Sequence, residues 1–233
     1  MKNKLKSPIL FFDIGGTLIY GPDSSPAERL VKALHLEEDK RDAIRDVLFT
    51  TDADNSSVLT KVLRKKVPGL PSDVDKVIKD LWNLQKNEAA VFPKAVEAVR
   101  RASAHGFKLG IISNIWRPYY EIFKTLFAEV FDYFEIKILS FKVGVKKPDM
   151  RIYKMALKAA GNAPACMAGD RLNDDIAPAR AAGLRTVLIL TEPEREFRKL
   201  DKIKKEGGEF PDFIIPHVGA LDDDRLKMLK AVL

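Results

Sequence analysis

Several polar residues stand where apolar runs stop. Asp13 follows the run Ile9 to Phe12, and Thr17 comes four positions later. Ser113 and Asn114 follow the run Phe107 to Ile112. Lys147 ends the basic stretch that begins at Lys142, and Asp170, with Asp174 and Asp175 close behind, follows Cys166 to Ala168. A carboxylate at the C-terminal mouth of a buried strand, trailed by Gly15 and Gly16 that let the chain turn tightly, is where open α/β sheets place nucleophiles and ligand-binding groups. Taken alone, Asp13 reads equally well as the turn that ends a strand. A Ser-Asn turn or a Lys-Pro pair is common by chance; their ordered combination is not.

The elements that must position these groups follow from periodicity. Short, nearly continuous apolar runs predict strands buried on both faces at Ile9 to Phe12, Phe107 to Ile112, Phe134 to Leu139, Cys166 to Ala168, Thr186 to Leu190 and Asp212 to Ile215. Helical spacing fills the gaps: a helix from Pro93 closed by His105-Gly106, one from about Pro118 to Phe127, one after Pro148-Asp149, and a small-residue helix from Ala177 to Ala182 closed by Gly183. Strands alternating with helices imply an α/β fold with a doubly wound parallel sheet. Parallel strands present their C-termini along one edge, so the polar groups converge on one crevice.

Between the first two strands, Tyr20 to Ser25 reads as a loop, and from Pro26 to about Ala90 the spacing is helical with no convincing strand. Ser25-Pro26 predicts an N-cap and first helical residue, Ser56 to Leu63 a third helix, and Ser72 with Asp75 a capping box for a fourth. The expected organisation is therefore a core of residues 1–20 and 92–233 carrying a helical lid over residues 21–91.

Composition narrows the function. The 233 residues carry 40 Lys and Arg against 33 Asp and Glu, a net charge of +7. The densest clusters, Arg64-Lys65-Lys66 and Lys202-Ile203-Lys204-Lys205, have no interleaved aromatics, so we expect solubility and attraction for anions but no nucleic-acid partner. A single cysteine, Cys166, forms no intrachain disulfide and sits in an apolar run as a small hydrophobe. Lys2, Lys4 and Lys6 precede an apolar run too short for a signal peptide, and no segment approaches membrane-spanning length, which predicts a soluble cytoplasmic protein. His35, His105 and His217 are assigned no chemistry, and the oligomeric state is not readable.

The same motifs give the chain a resemblance to the haloacid dehalogenase superfamily, whose members are mostly phosphatases. Asp13-Ile14-Gly15-Gly16-Thr17-Leu18 matches its nucleophile motif, Ile111-Ile112-Ser113-Asn114 the second, Lys147-Pro148-Asp149 the third, and Gly169-Asp170 to Asp175 the fourth. The helical stretch between the first two matches the cap of one large subgroup. The resemblance implies a Rossmann-like core, and a Mg²⁺-dependent hydrolase acting on a small phosphate ester through an aspartyl-phosphate on Asp13. By the same matching, Thr17, Ser113, the backbone at Asn114 and Lys147 would hold substrate oxygens. Asp13, the Gly15 carbonyl and Asp170 would bind Mg²⁺, and Asp175, or its neighbour Asp174, would be the second acid; whichever is not in the site caps the helix that follows.

One position departs from the pattern. Gly15 stands where the phosphatases usually carry a second Asp that protonates the leaving alcohol, a contribution commonly worth about a hundred- to ten-thousandfold in rate. Three readings stay open: a phosphatase relying on water or on a lid residue such as Asp23 or Tyr20; a dehalogenase- or phosphonate-cleaving hydrolase, the latter needing a lid lysine for which Lys32, Lys40 and Lys61 offer no distinguishing context; and a phosphate-binding protein that has lost turnover.

Overall fold

The computed structural model describes residues 6–191, 193–206 and 210–233; Lys2 and Lys4 lie outside the described residues. In chain order the elements are β1 (Ile9–Phe12), β2 (Ile19–Tyr20), α1 (Pro26–Ala33), α2 (Lys40–Thr50), α3 (Ser56–Lys66), α4 (Val74–Leu84), β3 (Ala90–Val91), α5 (Ala95–Ala104), β4 (Lys108–Ser113), α6 (Arg117–Leu126) and β5 (Phe134–Leu139). There follow α7 (Ser140–Val143), α8 (Met150–Ala159), β6 (Ala165–Gly169), α9 (Ala177–Ala181), β7 (Arg185–Ile189), α10 (Pro193–Glu206), β8 (Phe213–Ile215) and α11 (Asp223–Ala231).

Six parallel strands form one sheet in the order β5-β4-β1-β6-β7-β8, with helices on both faces. This is the doubly wound α/β core that the strand–helix alternation predicts. Strand β1 is at its heart, and its four side chains alternate between layers: Leu10 and Phe12 join one apolar cluster with Val99, Ile111 and Phe123, whereas Ile9 and Phe11 join another with Ile152, Tyr153 and Met167. Burial on both sides is why the run Ile-Leu-Phe-Phe carries no polar residue until Asp13.

Helices α1 to α4 collect their own apolar cluster around Leu30, Ile44, Leu63, Ile78 and Trp82. Chain entry and exit are joined by a two-residue antiparallel ribbon, Ile19 opposite Val91 and Tyr20 opposite Ala90. The sequence reading places Tyr20 in a loop; the ribbon is too short to leave an alternating pattern, and Tyr20 packs its ring 5.0 Å from that of Phe92. Trp116, just after β4, enters the cluster of the insertion and meets Trp82 edge-on at 5.7 Å. Ion pairs of Arg117 with Asp52 and of Lys146 with Asp46 close the rest of the seam, while Arg29 pairs with Glu88 (2.5 Å) within the insertion. Lys146, in the basic stretch that leads to Lys147, is thus a seam residue.

Local signals are met unevenly. Ser25 caps α1 in a full capping box with Glu28. The expected box of Ser72 and Asp75 does not form: the N-cap of α4 is one residue later, at Asp73, and no side chain caps the helix. Arg64 takes the Asp75 carboxylate instead, pairing with it at 2.6 Å while donating to the Ser72 carbonyl at 3.0 Å. Of the expected basic loop, Lys142 belongs to the single helical turn α7. The two basic clusters lie on exposed turns near the C-terminal ends of α3 and α10, where cations complement the helix dipole. Among the described residues no helix is long and apolar enough to cross a membrane.

Candidate active site

The three central strands each deliver a functional group from the same edge. Asp13 follows β1, Ser113 ends β4 beside it, and Asp170 follows β6 on the other side. The turn after β1 is tight: the Leu18 and Ile19 amides both donate to the Ile14 carbonyl, at 2.9 and 3.0 Å, and the Ile14 amide donates to Asp13 Oδ1 at 2.8 Å. That last bond fixes one carboxylate oxygen. Lys147, arriving on the loop between α7 and α8, places Nζ 3.0 Å from the same Asp13 Oδ1, 2.5 Å from Asp175 Oδ1 and 3.1 Å from the Ile112 carbonyl.

The supports of Lys147 are equally specific. Asn114 clamps its backbone reciprocally: Asn114 Nδ2 donates to the Lys147 carbonyl at 2.8 Å, and the Lys147 amide donates to Asn114 Oδ1 at 2.7 Å. A single π-helical turn, Leu172–Ile176, follows Asp170 and turns Asp175 inward, where its Oδ2 accepts from the Arg171 amide at 3.0 Å. Asp174, one residue earlier, is half-buried at the cavity wall, 3.7 Å from Arg171. Of the two neighbouring acids, it is Asp175 that reaches Lys147.

Two glycines make this density possible. A Cβ on Gly16, whose φ is +77°, would come 2.6 Å from an Asp170 carboxylate oxygen, and a Cβ on Gly169 would come 2.4 Å from Asp175 Cγ. Sequence shows these glycines only as parts of motifs; their role is to let carboxylates approach the backbone.

The electrostatics are unbalanced. Asp13, Asp170 and Asp175 are buried with carboxylate oxygens within 4.8 Å of one another, and Lys147 is the one ammonium among them. Burial would depress the Lys147 ammonium, but Asp13 and Asp175 outweigh it and hold it above its ordinary value, hence charged. Burial and the charges of Asp175 and Asp13 push Asp170 well above the usual carboxylate range, and its direct bond is a 3.3 Å one from the Thr17 hydroxyl. The crowding of three acids around Lys147, with the Arg171 guanidinium 3.9 Å from Asp170, favours a proton on Asp170, and an all-oxygen donor set of this kind suits a hard divalent cation in the proton's place. Next to them the Ser113 hydroxyl is buried without a hydrogen-bond partner, as the acid cluster's neutral counterpart.

Asp13 and Lys147 open onto a cavity of about 590 Å³ that reaches up to the insertion, whereas Thr17, Ser113, Asp170 and Asp175 are not among its lining residues. Asp13, Gly15, Asn114, Lys147 and Asp174 line its floor; Asp23, Glu28, Arg41, Arg45 and Phe49 line its upper part, with Trp116 and Tyr119 from the chain after β4. Tyr119 was not singled out by sequence, and its ring is what borders Gly15: a Cβ there would sit 3.5 Å from Tyr119 Cε1. Burial, then the charge of Asp13, pushes its phenol upward, so it stays neutral. Tyr20, Lys32, Lys40 and Lys61 are not among the cavity's lining residues; Asp23 is. Cys166 is fully buried in the sheet, and burial raises its thiol.

Comparison with known proteins agrees with this geometry. Residues 8–183 match the family described as haloacid dehalogenase-like hydrolase. The chain is 34% identical to a glyceraldehyde 3-phosphate phosphatase of Pyrococcus furiosus, over 55% of this chain and 52% of that protein. It is 30% identical to the one of Pyrococcus abyssi, over 77% and 79%, and 33% identical to a phosphoserine phosphatase of Thermus thermophilus, over 45% and 43%. For the first of these the matched region spans about half of the relative's length. Among solved structures, the L-2-haloacid dehalogenase of Xanthobacter autotrophicus superposes with a TM-score of 0.59 at 19% identity, covering 98% of this chain and 100% of that one. A family enzyme of Bacteroides thetaiotaomicron, in complex with magnesium and inorganic phosphate, gives 0.55 at 20% identity, covering 80% and 95%. The match runs from the residue before β1 to the end of the β6–α9 unit, and so contains every strand end that carries a site residue: the chain belongs to the haloacid dehalogenase-like hydrolase family.

Proposed function

We propose that this hydrolase is a Mg²⁺-dependent phosphatase of small phosphate monoesters, with Asp13 as nucleophile. The observation that carries the reading is the pairing at the cavity floor of an anchored Asp13 carboxylate with a charged, buried Lys147, next to the strand that ends in the unpartnered Ser113 hydroxyl. A cation and a free donor beside a nucleophile are what a phosphoryl group needs, because phosphoryl transfer is mostly positioning and charge neutralisation. The names of the relatives, phosphatases of glyceraldehyde 3-phosphate and of phosphoserine, point to the same class of substrate.

In this reading Asp13 attacks phosphorus through the carboxylate oxygen not held by Ile14 and Lys147. The P–O ester bond breaks, the alcohol departs, and water then releases phosphate from the aspartyl-phosphate. Ser113, the Asn114 backbone and Lys147 hold the equatorial oxygens, while Asp175 keeps Lys147 in place. Mg²⁺, held by Asp13, Asp170 and the Gly15 carbonyl, would offset the charge on the phosphoryl group. Thr17 orients Asp170. The insertion of residues 21–91 acts as the lid that admits substrate.

Gly15 offers no proton, and the neutral Tyr119 ring fills the space beside it. The leaving alcohol must take its proton from water or from Asp23, so turnover should fall steeply as the leaving-group pKa rises. That absence of an acid also favours a second reading, a phosphate-binding protein with little turnover. The test is phosphate release from p-nitrophenyl phosphate, whose leaving group needs little protonation. Release that requires Mg²⁺ and falls at least a thousandfold in Asp13→Asn is the expected result. A folded protein that releases none overturns the reading in favour of a dehalogenase- or phosphonate-cleaving hydrolase or of the binding protein.

A further inference from the structure

Two side-chain amides belong to residues that line the cavity, and they are used differently. That of Asn114 is spent on the Lys147 backbone, donating and accepting at once. Gln85 opens the short helical turn Gln85–Asn87 that follows α4, and it is 3% exposed. No hydrogen bond reaches its side-chain amide among the described residues, and the nearby acid Glu88 is engaged with Arg29. The Ser113 hydroxyl and the Trp116 indole N–H are unpartnered and enclosed. The Gln85 amide is unpartnered but not enclosed, so the little surface that it keeps opens on the cavity.

The turn packs against α6, the helix whose Tyr119 borders Gly15. Gly15 marks the side of the site from which an alcohol would leave, so Gln85 faces the part of the cavity that takes the organic half of an ester. A primary amide offers two N–H donors and a carbonyl with two lone pairs. A ligand that displaces solvent from it must replace bonds on both halves or lose affinity. A carboxylate only accepts, an ammonium only donates, and a methylene does neither. A hydroxyl does both, and so meets the whole group.

We infer that Gln85 is a specificity residue that binds a hydroxyl on the alcohol part of the substrate, so that this protein takes phosphate monoesters of polyols in preference to those of plain alkyl alcohols. Which bond of such an ester is cleaved rests on the phosphatase reading; the preference itself is a property of binding.

The test compares two pairs of equal chain length, n-propyl phosphate with glycerol 3-phosphate and n-butyl phosphate with erythritol 4-phosphate. Binding to the full-length Asp13→Asn protein is measured by calorimetry. In at least one pair the polyol ester should bind about tenfold or more tighter, against the advantage that apolar burial gives the alkyl chain. Adding Gln85→Met, similar in length and volume but without donor or acceptor, should bring that ratio close to one. Gln85→Asn, which keeps the amide but withdraws it by one methylene, should give a ratio in between. A polyol ester that binds no tighter than its alkyl partner in both pairs overturns the proposal, as does a ratio left unchanged by a folded Gln85→Met protein. If that variant does not fold, an unchanged ratio in Gln85→Asn overturns it instead. Turnover by the native protein is read separately: a hydroxyl preference in binding with no phosphate release from any of the four sinks the phosphatase reading and leaves the role of Gln85 standing.

Discussion

The floor and the upper wall of the cavity are built on opposite principles. Asp13 and Lys147 on the floor, and Ser113, Asp170 and Asp175 around them, are all buried, and of these only the Ser113 hydroxyl is left without a protein partner. The wall is one face of α2 and a stretch of chain after β4, with half-buried groups. The floor depends on three adjacent strand ends and on glycines with no room for a side chain, so altering one residue there disturbs several others. The wall can change residue by residue. Chemistry belongs where geometry is over-determined, and substrate choice where it is not.

This contrast can be broken most severely at Lys147. Replacing it with Met keeps volume but leaves Asp13 and Asp175 buried with no ammonium between them. Breaking a buried pair in this way costs about 3–5 kcal/mol, and in a chain of this size each kcal/mol lowers Tm by roughly 2–4 °C. Calorimetry in the absence of divalent metal should therefore show a fall of about 6 °C or more; an unchanged Tm would mean that the floor is not paired as described.

Adjacent glycines sharpen the comparison further. Gly16→Ala puts a Cβ against the Asp170 carboxylate and a side chain at positive φ, for a cost of about 2–4 kcal/mol from strain and overpacking together. It should also weaken the Mg²⁺ dependence of turnover, because Asp170 must move. The smallest effect is expected one residue earlier, where Gly15→Ala meets Tyr119 at ordinary contact distance. Its Tm should stay within a few degrees of native and p-nitrophenyl phosphate hydrolysis within a few-fold. If both variants behave alike in thermal melts, the close approach of Asp170 to the backbone is not what makes glycine necessary at position 16.

Much of this was legible in the sequence. The strands ending in Asp13, Ser113 and Asp170 were marked by apolar runs, because a strand buried on both faces admits no polar residue until it leaves the sheet. The helical insertion was marked by the 3.6-residue spacing within each helix, as in Leu30, Ala33 and Leu34 or in Ile44, Val47 and Leu48. The ribbon that joins the insertion to the core left no signal, since two residues cannot show a period. The box expected at Ser72 and Asp75 does not form, and the Asp75 carboxylate pairs instead with Arg64 from the preceding helix.

Sequence by itself determined the order of the elements, the residues that meet at the sheet edge, and the absence of a carboxylate at Gly15, since each follows from residue type and local spacing. Tertiary structure decided what those residues touch. Only the π-helical turn separates Asp175 from Asp174 as the partner of Lys147, only the packing of α6 puts Tyr119 beside Gly15, and only the seam with the insertion brings Asn114 and Gln85 to one cavity. These contacts join residues far apart in the chain, and no periodicity records which side chains will share a space once the helices have packed.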